Sequence, residues 1–115
     1  MDLSKWKKFK IKELFNVYGS KTTNIVELET KYIGGNYAYV TTKASNNGVE
    51  DFYDYYTEKG NVLTVDSAVI GYVTYQDRPF TASDHVEILE PKEKTVLNKN
   101  TALFLKTIIQ QIKQD

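Results

Sequence analysis

The side chains that most often perform catalysis are scarce in this sequence. Its single histidine, His85, follows Ser83 and Asp84. Adjacent residues of a strand point to opposite faces, so these three cannot converge as a Ser-His-Asp triad. A lone histidine in a Val/Ile-rich strand is more often structural than catalytic. The absence of cysteine excludes thiolate catalysis, thiolate zinc sites and disulfide scaffolds.

One pattern imitates a metal-dependent nuclease. Asp66 and the later Glu90-Pro91-Lys92 have the order of a motif in which two carboxylates hold a divalent ion and a lysine polarises water. Pro91 stands where a strand should continue, and acids are frequent in this region, which weakens the pattern. The sequence also lacks a GxSxG elbow and a phosphate-binding glycine loop. We therefore expect no enzyme activity, no metal and no cofactor.

Residues suited to binding are better represented than catalytic ones. The chain has nine tyrosines, and several lie close to Asn, Gln, Thr and Arg in expected turns. Asn and Gln can read adenine edges, Arg can read guanine, and Thr or Tyr can contact phosphates or methyl groups. The same residue types suit protein recognition, and each tyrosine taken singly is more often a core residue. The polar loop residues are therefore the stronger binding candidates.

Charge is balanced over the whole chain but not along it. Lys+Arg and Asp+Glu number 15 each. Residues 1–31 carry +3 (seven minus four), 32–60 carry −2 (two minus four), 61–91 carry −4 (one minus five) and 92–115 carry +3 (five minus two). The zero net charge argues against binding driven by bulk positive charge, whereas two basic ends that meet in the fold would still form a basic face.

Length and composition indicate one soluble domain. The chain has 115 residues, 41% of them apolar and 26% charged, which is ordinary for a globular protein. No apolar run approaches the roughly 18 residues of a membrane span, and the N-terminus lacks the apolar core of a signal peptide. We therefore expect a cytoplasmic protein that does not insert into a membrane.

Turn signals about every ten residues indicate a mostly-β body. Apolar/polar alternation, or a run of β-branched and aromatic residues, predicts strands at 8–12, 16–20, 37–42, 61–65, 69–75 and 85–89. We also predict one helical turn before the strand at 16–20 and a loop at 21–24. Residues 52–57 fit either strand or loop. From Thr101 the apolar spacing becomes helical, and Asn98 or Asn100 is a suitable N-cap. We predict an α+β fold, with a twisted β-rich domain over residues 1–97 and an amphipathic helix over 98–115.

Five segments follow one another along the chain: Trp6 with Lys10–Phe15 and Gly19, Tyr39–Thr42 with Asn46–Val49, Gly60–Val65 with Gly71, Phe80–Val86, and Leu103–Ile109. In this order they resemble the target recognition domain of specificity (S) subunits of Type I restriction–modification systems and their BcgI-like relatives. The resemblance implies a non-catalytic domain that reads double-stranded DNA and directs separate methyltransferase and nuclease subunits. It places DNA-binding residues in the loops, namely Lys21, Thr22, Thr23, Lys43, Asn46, Asn47, Gln76 and Arg78.

The sequence departs from a full S subunit in two ways that leave alternatives open. It holds one recognition domain instead of two and includes about 15 residues of the long spacer helix, whose apolar face needs a cover from the β body or from a second copy. The middle of the chain is also acidic. It could therefore act as a phage or mobile-element inhibitor of a CRISPR or restriction nuclease, with phosphates mimicked by Asp51, Asp54, Asp66, Asp77 and Asp84. Asn46-Asn47-Gly48 equally fits a tight turn, and Arg78 could simply pair with Asp77 or Asp84.

Overall fold

A computed structural model describes residues 11–66 and 72–114, with side chains of the last helix described as far as residue 109. Residues 11–14 are helical and lead into the first strand. The described elements are β1 (Phe15–Gly19), α1 (Ile25–Lys31), β2 (Tyr37–Val40), a 3-10 turn (Asn46–Gly48), β3 (Val49–Tyr53), β4 (Val62–Asp66), β5 (Thr74–Gln76), β6 (Phe80–Ala82), β7 (Val86–Pro91) and α2 (Lys99–Gln114). The predicted α+β class, a β body with a C-terminal helix, is confirmed.

The larger sheet has four strands in the order β1-β7-β4-β5, and all its pairs are antiparallel. Leu89 on β7 lies opposite Val17 on one side and Leu63 on the other. Every residue of β4 is buried, as expected for a central strand covered on both faces. This sheet therefore forms the rigid support for the short strand β5 at its edge.

The smaller sheet has the order β3-β2-β6, with β2 antiparallel to β3 and parallel to β6. The register between β2 and β3 shifts between Tyr39 and Val40, and such a bulge re-aims the chain where pairing ends. The loop that follows β2 carries the 46–48 turn. The bulge thus lies directly before the polar segment that the sequence singles out.

In the described part of the chain, three clusters of buried side chains hold the elements together. The largest joins the four-stranded sheet to α2, because Ala102 and Ile109 of the helix pack with Phe15 and Leu63. A second cluster around Phe80 and Ile88 joins the two sheets, and a third seats Leu28 of α1 beside two tyrosines of the smaller sheet. The helix α2 therefore shares a core with the β body, and a domain boundary at residues 97–98 stays a prediction.

Several local predictions differ from the structure. The segment after residue 24 forms α1, whose pattern is hard to recognise because only Leu28 of its seven residues is buried. The strand β6 is three residues long and paired in parallel to β2, so it has no local hairpin signal. His85, predicted to begin a strand, lies in a turn with φ 65° and is exposed.

Some predictions fall partly outside the described residues. The predicted strand at 8–12 lies mostly there, and 11–12 are helical. The strand predicted at 69–75 begins at Thr74, and its residues 69–71 lie outside the described chain. Within the described residues, no helix is long and apolar enough to cross a membrane.

Candidate functional site

The 46–48 turn is tied to strand β5 by side-chain hydrogen bonds. Asn47 Nδ2 donates to the carbonyl oxygen of Tyr75 at 2.9 Å, and Gln76 Nε2 donates to the carbonyl oxygen of Asn47 at 2.9 Å. Asn46 Nδ2 donates to the carbonyl oxygen of Val49 at 3.2 Å, which closes the turn on itself. These bonds hold a polar loop at a set position above the edge of the larger sheet.

The backbone of this turn explains its residue types. Asn46 and Asn47 have φ of 50° and 55°, and Gly48 has φ of 75°. Asn adopts this left-handed region more readily than other non-glycine residues, and Gly adopts it without steric cost. A Cβ added at Gly48 would lie 3.2 Å from Cγ2 of Thr74. The tight-turn interpretation of Asn46-Asn47-Gly48 is therefore confirmed, and it coexists with exposed Asn side chains.

Gln76 lies below the turn and supports it. The residue is 6% exposed, and its Nε2 also donates to Oγ1 of Thr74 at 3.0 Å. Thr74 Oγ1 is in turn hydrogen bonded to Oγ1 of Thr64 on the neighbouring strand β4. A buried amide with both partners inside the protein positions the turn and is poorly placed to reach a ligand.

Of the predicted cationic residues, Lys43 lies in the loop between β2 and the turn, and Arg78 follows strand β5. Lys43 is half-buried, its backbone N–H donates to Oγ1 of Thr41 at 3.2 Å, and its Nζ lies 3.9 Å from Glu50. Arg78 is exposed just past the end of β5, and its backbone is closely packed against Gly60, where a Cβ would collide with it. Among the described residues no carboxylate lies within ion-pair distance of Arg78.

The remaining predicted residues, 21–23, lie beside Glu58 instead of at the 46–48 turn. The backbone N–H of Lys21 donates to Glu58 Oε2 at 3.0 Å, and Thr57 Oγ1 donates to the same oxygen at 2.7 Å. Thr23 is buried, and its N–H donates to the carbonyl oxygen of Ala82 at 3.0 Å. Lys21 and Thr22 are exposed. Asn46, Asn47 and Gln76 thus meet at the turn, with Lys43 in the loop before it. Residues 21–23 lie beside Glu58, and Arg78 packs against Gly60.

A groove between the turn and helix α2 contains two cations that the loop-based prediction missed. We call it the Asn47 groove: it has a volume of about 540 Å³ and is lined by Asn47, Tyr75, Asp77, Lys99, Ala102, Leu103 and Lys106. The apolar spacing predicted α2 itself. The sequence could not show that this helix packs next to the turn, because that contact depends on tertiary structure.

The family comparison agrees with this architecture. A model of the Type I restriction modification DNA specificity domain matches residues 3–115. The chain belongs to this family. The fold resembles the crystal structure of the S subunit of a Type-I restriction-modification system from M. genitalium, with a TM-score of 0.67 and 18% identity over 90% of this chain. The match covers 27% of that S subunit, so the chain spans about a quarter of its length. No curated protein matches the sequence.

In this specificity domain the five acids of the alternative inhibitor surface do not form one face. Asp66 is 7% exposed on the central strand β4, and Asp77 lines the Asn47 groove. Asp84 lies 3.6 Å from the exposed His85, and Asp51 Oδ1 accepts from the N–H of Phe52 at 2.8 Å. Asp54 is exposed at the end of β3.

The acids at 51 and 84 share an environment with buried tyrosines. Burial raises the pKa of Tyr39, and the carboxylates of Asp84 and Glu50 raise it further. Burial also raises the pKa of Tyr53, with Asp51 as the next contribution. The rings of Tyr39 and Tyr53 meet edge to face with centroids 6.1 Å apart. Acidic residues of α1, β3 and the turn before β7 therefore surround these two tyrosines.

The nuclease-like pattern has no supporting geometry. Asp66 lies opposite Val86 on β7, so Glu90 is four residues further along that strand, about 13 Å away. Glu90 instead lies 3.0 Å from Lys59 and accepts a hydrogen bond from Tyr18 at 3.2 Å. Burial, followed by the charge of Glu90, raises the pKa of Tyr18 to about 12. The described residues contain no cluster of three potential metal ligands.

Proposed function

We propose that this chain reads a sequence in double-stranded DNA and performs no catalysis itself. The observation that carries the proposal is the 46–48 turn, a polar loop fixed by Asn47 and Gln76, with Lys43 in the loop before it and Arg78 just after strand β5. Rigidly supported loops with exposed polar side chains are the usual carriers of recognition. Membership of the DNA specificity domain family supports the same function.

Each side chain has a role that follows from its placement. Arg78 is exposed and unpaired among the described residues, so it is the candidate for bidentate contact with a guanine. Asn46 and Asn47 are exposed candidates for base edges, and Lys21 and Lys43 are candidates for phosphates. We expect the other three predicted residues to contribute less to DNA binding. Thr23 and Gln76 are buried and support the loops, and Thr22 is exposed next to Thr23.

The partners belong to the same proposal. A methyltransferase subunit and a nuclease subunit would supply the chemistry that the domain directs. Helix α2 presents Phe104 to solvent, at 67% exposure, although Ala102 and Ile109 on its other side are buried. We infer that a second copy of the chain covers this outer face, which would bring two recognition domains together.

Selection of duplexes from a randomised library by the purified chain, at low salt, tests the function. We expect enrichment of one short sequence, bound more tightly than a scrambled duplex and with a strong dependence on salt. Arg78→Ala should cost about 1–3 kcal/mol of binding and relax the preference at one base pair. Lys31→Ala, an exposed cation on α1, is the matched control and should keep the preference.

Two results would contradict the proposal. Failure to enrich any duplex would remove the DNA-reading function. Binding to a CRISPR or restriction nuclease without binding to DNA would instead favour the inhibitor function, and Asp51→Asn with Asp84→Asn should then weaken that complex.

A further inference from the structure

We propose that the Asn47 groove binds phosphates of the DNA backbone, with Lys99 and Lys106 of helix α2 as its cationic groups. This inference rests on the proposed DNA-reading function and adds a second element to it. The loops would read bases, and the first two turns of α2 would hold the adjacent backbone. Contacts of this second kind set the register of a protein on the duplex.

The lining of the groove shows why these two lysines act together. Lys99, Ala102, Leu103 and Lys106 have the spacing i, i+3, i+4 and i+7, which puts them on one side of a helix. Ala102 is 2% exposed and anchors that side to the larger sheet. The two ammonium groups are consequently carried by one rigid element across the groove from Asn47.

The charges of the groove favour an anion. Among the described residues neither lysine has a carboxylate within ion-pair distance. Lys106 Nζ lies 5.8 Å from the centroid of the Tyr72 ring, a contact that orients the side chain and leaves its charge uncompensated. Of the described residues that line the groove, Asp77 is the one acid, so two cations face one anion there.

The position of Asn47 indicates which ligand the groove binds. Asn47 belongs both to the 46–48 turn and to the groove wall. A duplex whose bases face that turn must place its sugar-phosphate backbone beside it, where Lys99 and Lys106 lie. An open groove of about 540 Å³ accommodates a stretch of backbone, and its ammonium groups offer charge without base preference.

The test compares Lys99→Gln/Lys106→Gln with Lys31→Gln/Lys94→Gln, which removes the same two charges from exposed positions elsewhere. Affinity for the selected duplex and for a scrambled duplex is measured over a series of salt concentrations. Each lost phosphate contact lowers the salt slope by about 0.9. A fourfold rise in salt should therefore weaken the unmodified chain about tenfold more than the groove variant, and the control should keep the original slope.

A further variant tests the proposal, and two results would contradict it. Asp77→Asn should tighten binding to both duplexes, because it removes the one anion of the groove. A groove variant with the salt slope of the control, or one that loses affinity for the selected duplex alone, overturns the proposal. Absence of any sequence preference in the unmodified chain would instead count against the proposed function.

Discussion

Asn47 and Gln76 have different roles, which their residue types alone would not distinguish. Both side chains end in an amide, and both can read a base edge. The structure buries Gln76 and directs its amide to the backbone of Asn47, whereas Asn47 stays exposed on a backbone with φ of 55°. The Gln76 amide is therefore a buried support, whereas the Asn47 amide both holds the turn to Tyr75 and lies exposed for contact.

Gln76→Ala tests that supporting role. Removing the amide leaves the carbonyl of Asn47 without its donor and takes one of two side-chain hydrogen bonds from Thr74. This change should lower the free energy of unfolding by about 1–3 kcal/mol. Urea denaturation followed by circular dichroism measures the loss. Thr42→Ala, at an exposed position of the preceding loop, is the control. Equal unfolding midpoints for the two variants would show that the Gln76 hydrogen bonds do not hold the turn.

At the scale of elements, helix α2 begins where its sequence predicts. Asn98 Oδ1 accepts from the N–H groups of Asn100 and Thr101, at 2.9 and 3.0 Å. These bonds satisfy donors that the first turn of a helix leaves free. Of the two predicted N-cap residues, Asn98 is the one confirmed. The cap sets the position of Lys99 and therefore one side of the Asn47 groove.

Loss of the cap should destabilise the domain without unfolding it. Asn98→Ala is expected to lower the free energy of unfolding by about 1 kcal/mol, because the two N–H groups lose their acceptor. Asn98→Asp keeps an acceptor at the same place and should retain most of the stability. Thermal and urea unfolding compare the variants. If both substitutions cost the same, capping is not the reason for the effect.

Elements with a strong local pattern were predictable, and those without one were not. The turn at Asn46-Asn47-Gly48 and the helix after Asn98 depend on local backbone preference and on apolar spacing. Helix α1 and strand β6 depend on long-range partners, namely the tyrosines of the smaller sheet and the parallel strand β2. Their sequences are short and carry little period, so tertiary packing decides them.

At the scale of the whole molecule, the uneven charge of the chain is distributed between two regions. Acids surround the buried Tyr39 and Tyr53, and Lys99 and Lys106 from the basic C-terminal part reach the Asn47 groove. A neutral chain can thus present a local cationic site, which a net charge of zero does not reveal.

The exposed outer face of α2, which carries Phe104, leads us to predict how the chain assembles. We expect the chain to self-associate through this face, because association would bury the exposed ring of Phe104. The opposite side of the helix is already buried against the larger sheet. Phe104→Glu should lower the apparent mass in sedimentation equilibrium without changing the circular dichroism spectrum. Val26→Glu, at a similarly exposed apolar residue of α1 (61%), should have no effect on mass. A monomeric unmodified chain at high concentration would contradict self-association through α2.

The sequence by itself determined the α+β class, the polar turn, the C-terminal helix and the family, because each depends on local residue preference or on the order of short motifs. Only the tertiary structure decided which polar residues are buried supports, which acids are separated and which lysines face the turn. These properties depend on contacts between segments far apart in the chain. Gln76 and Asn47 are 29 residues apart along the chain. Lys106 is even more distant from Asn47 in the sequence, yet it faces the turn across the groove.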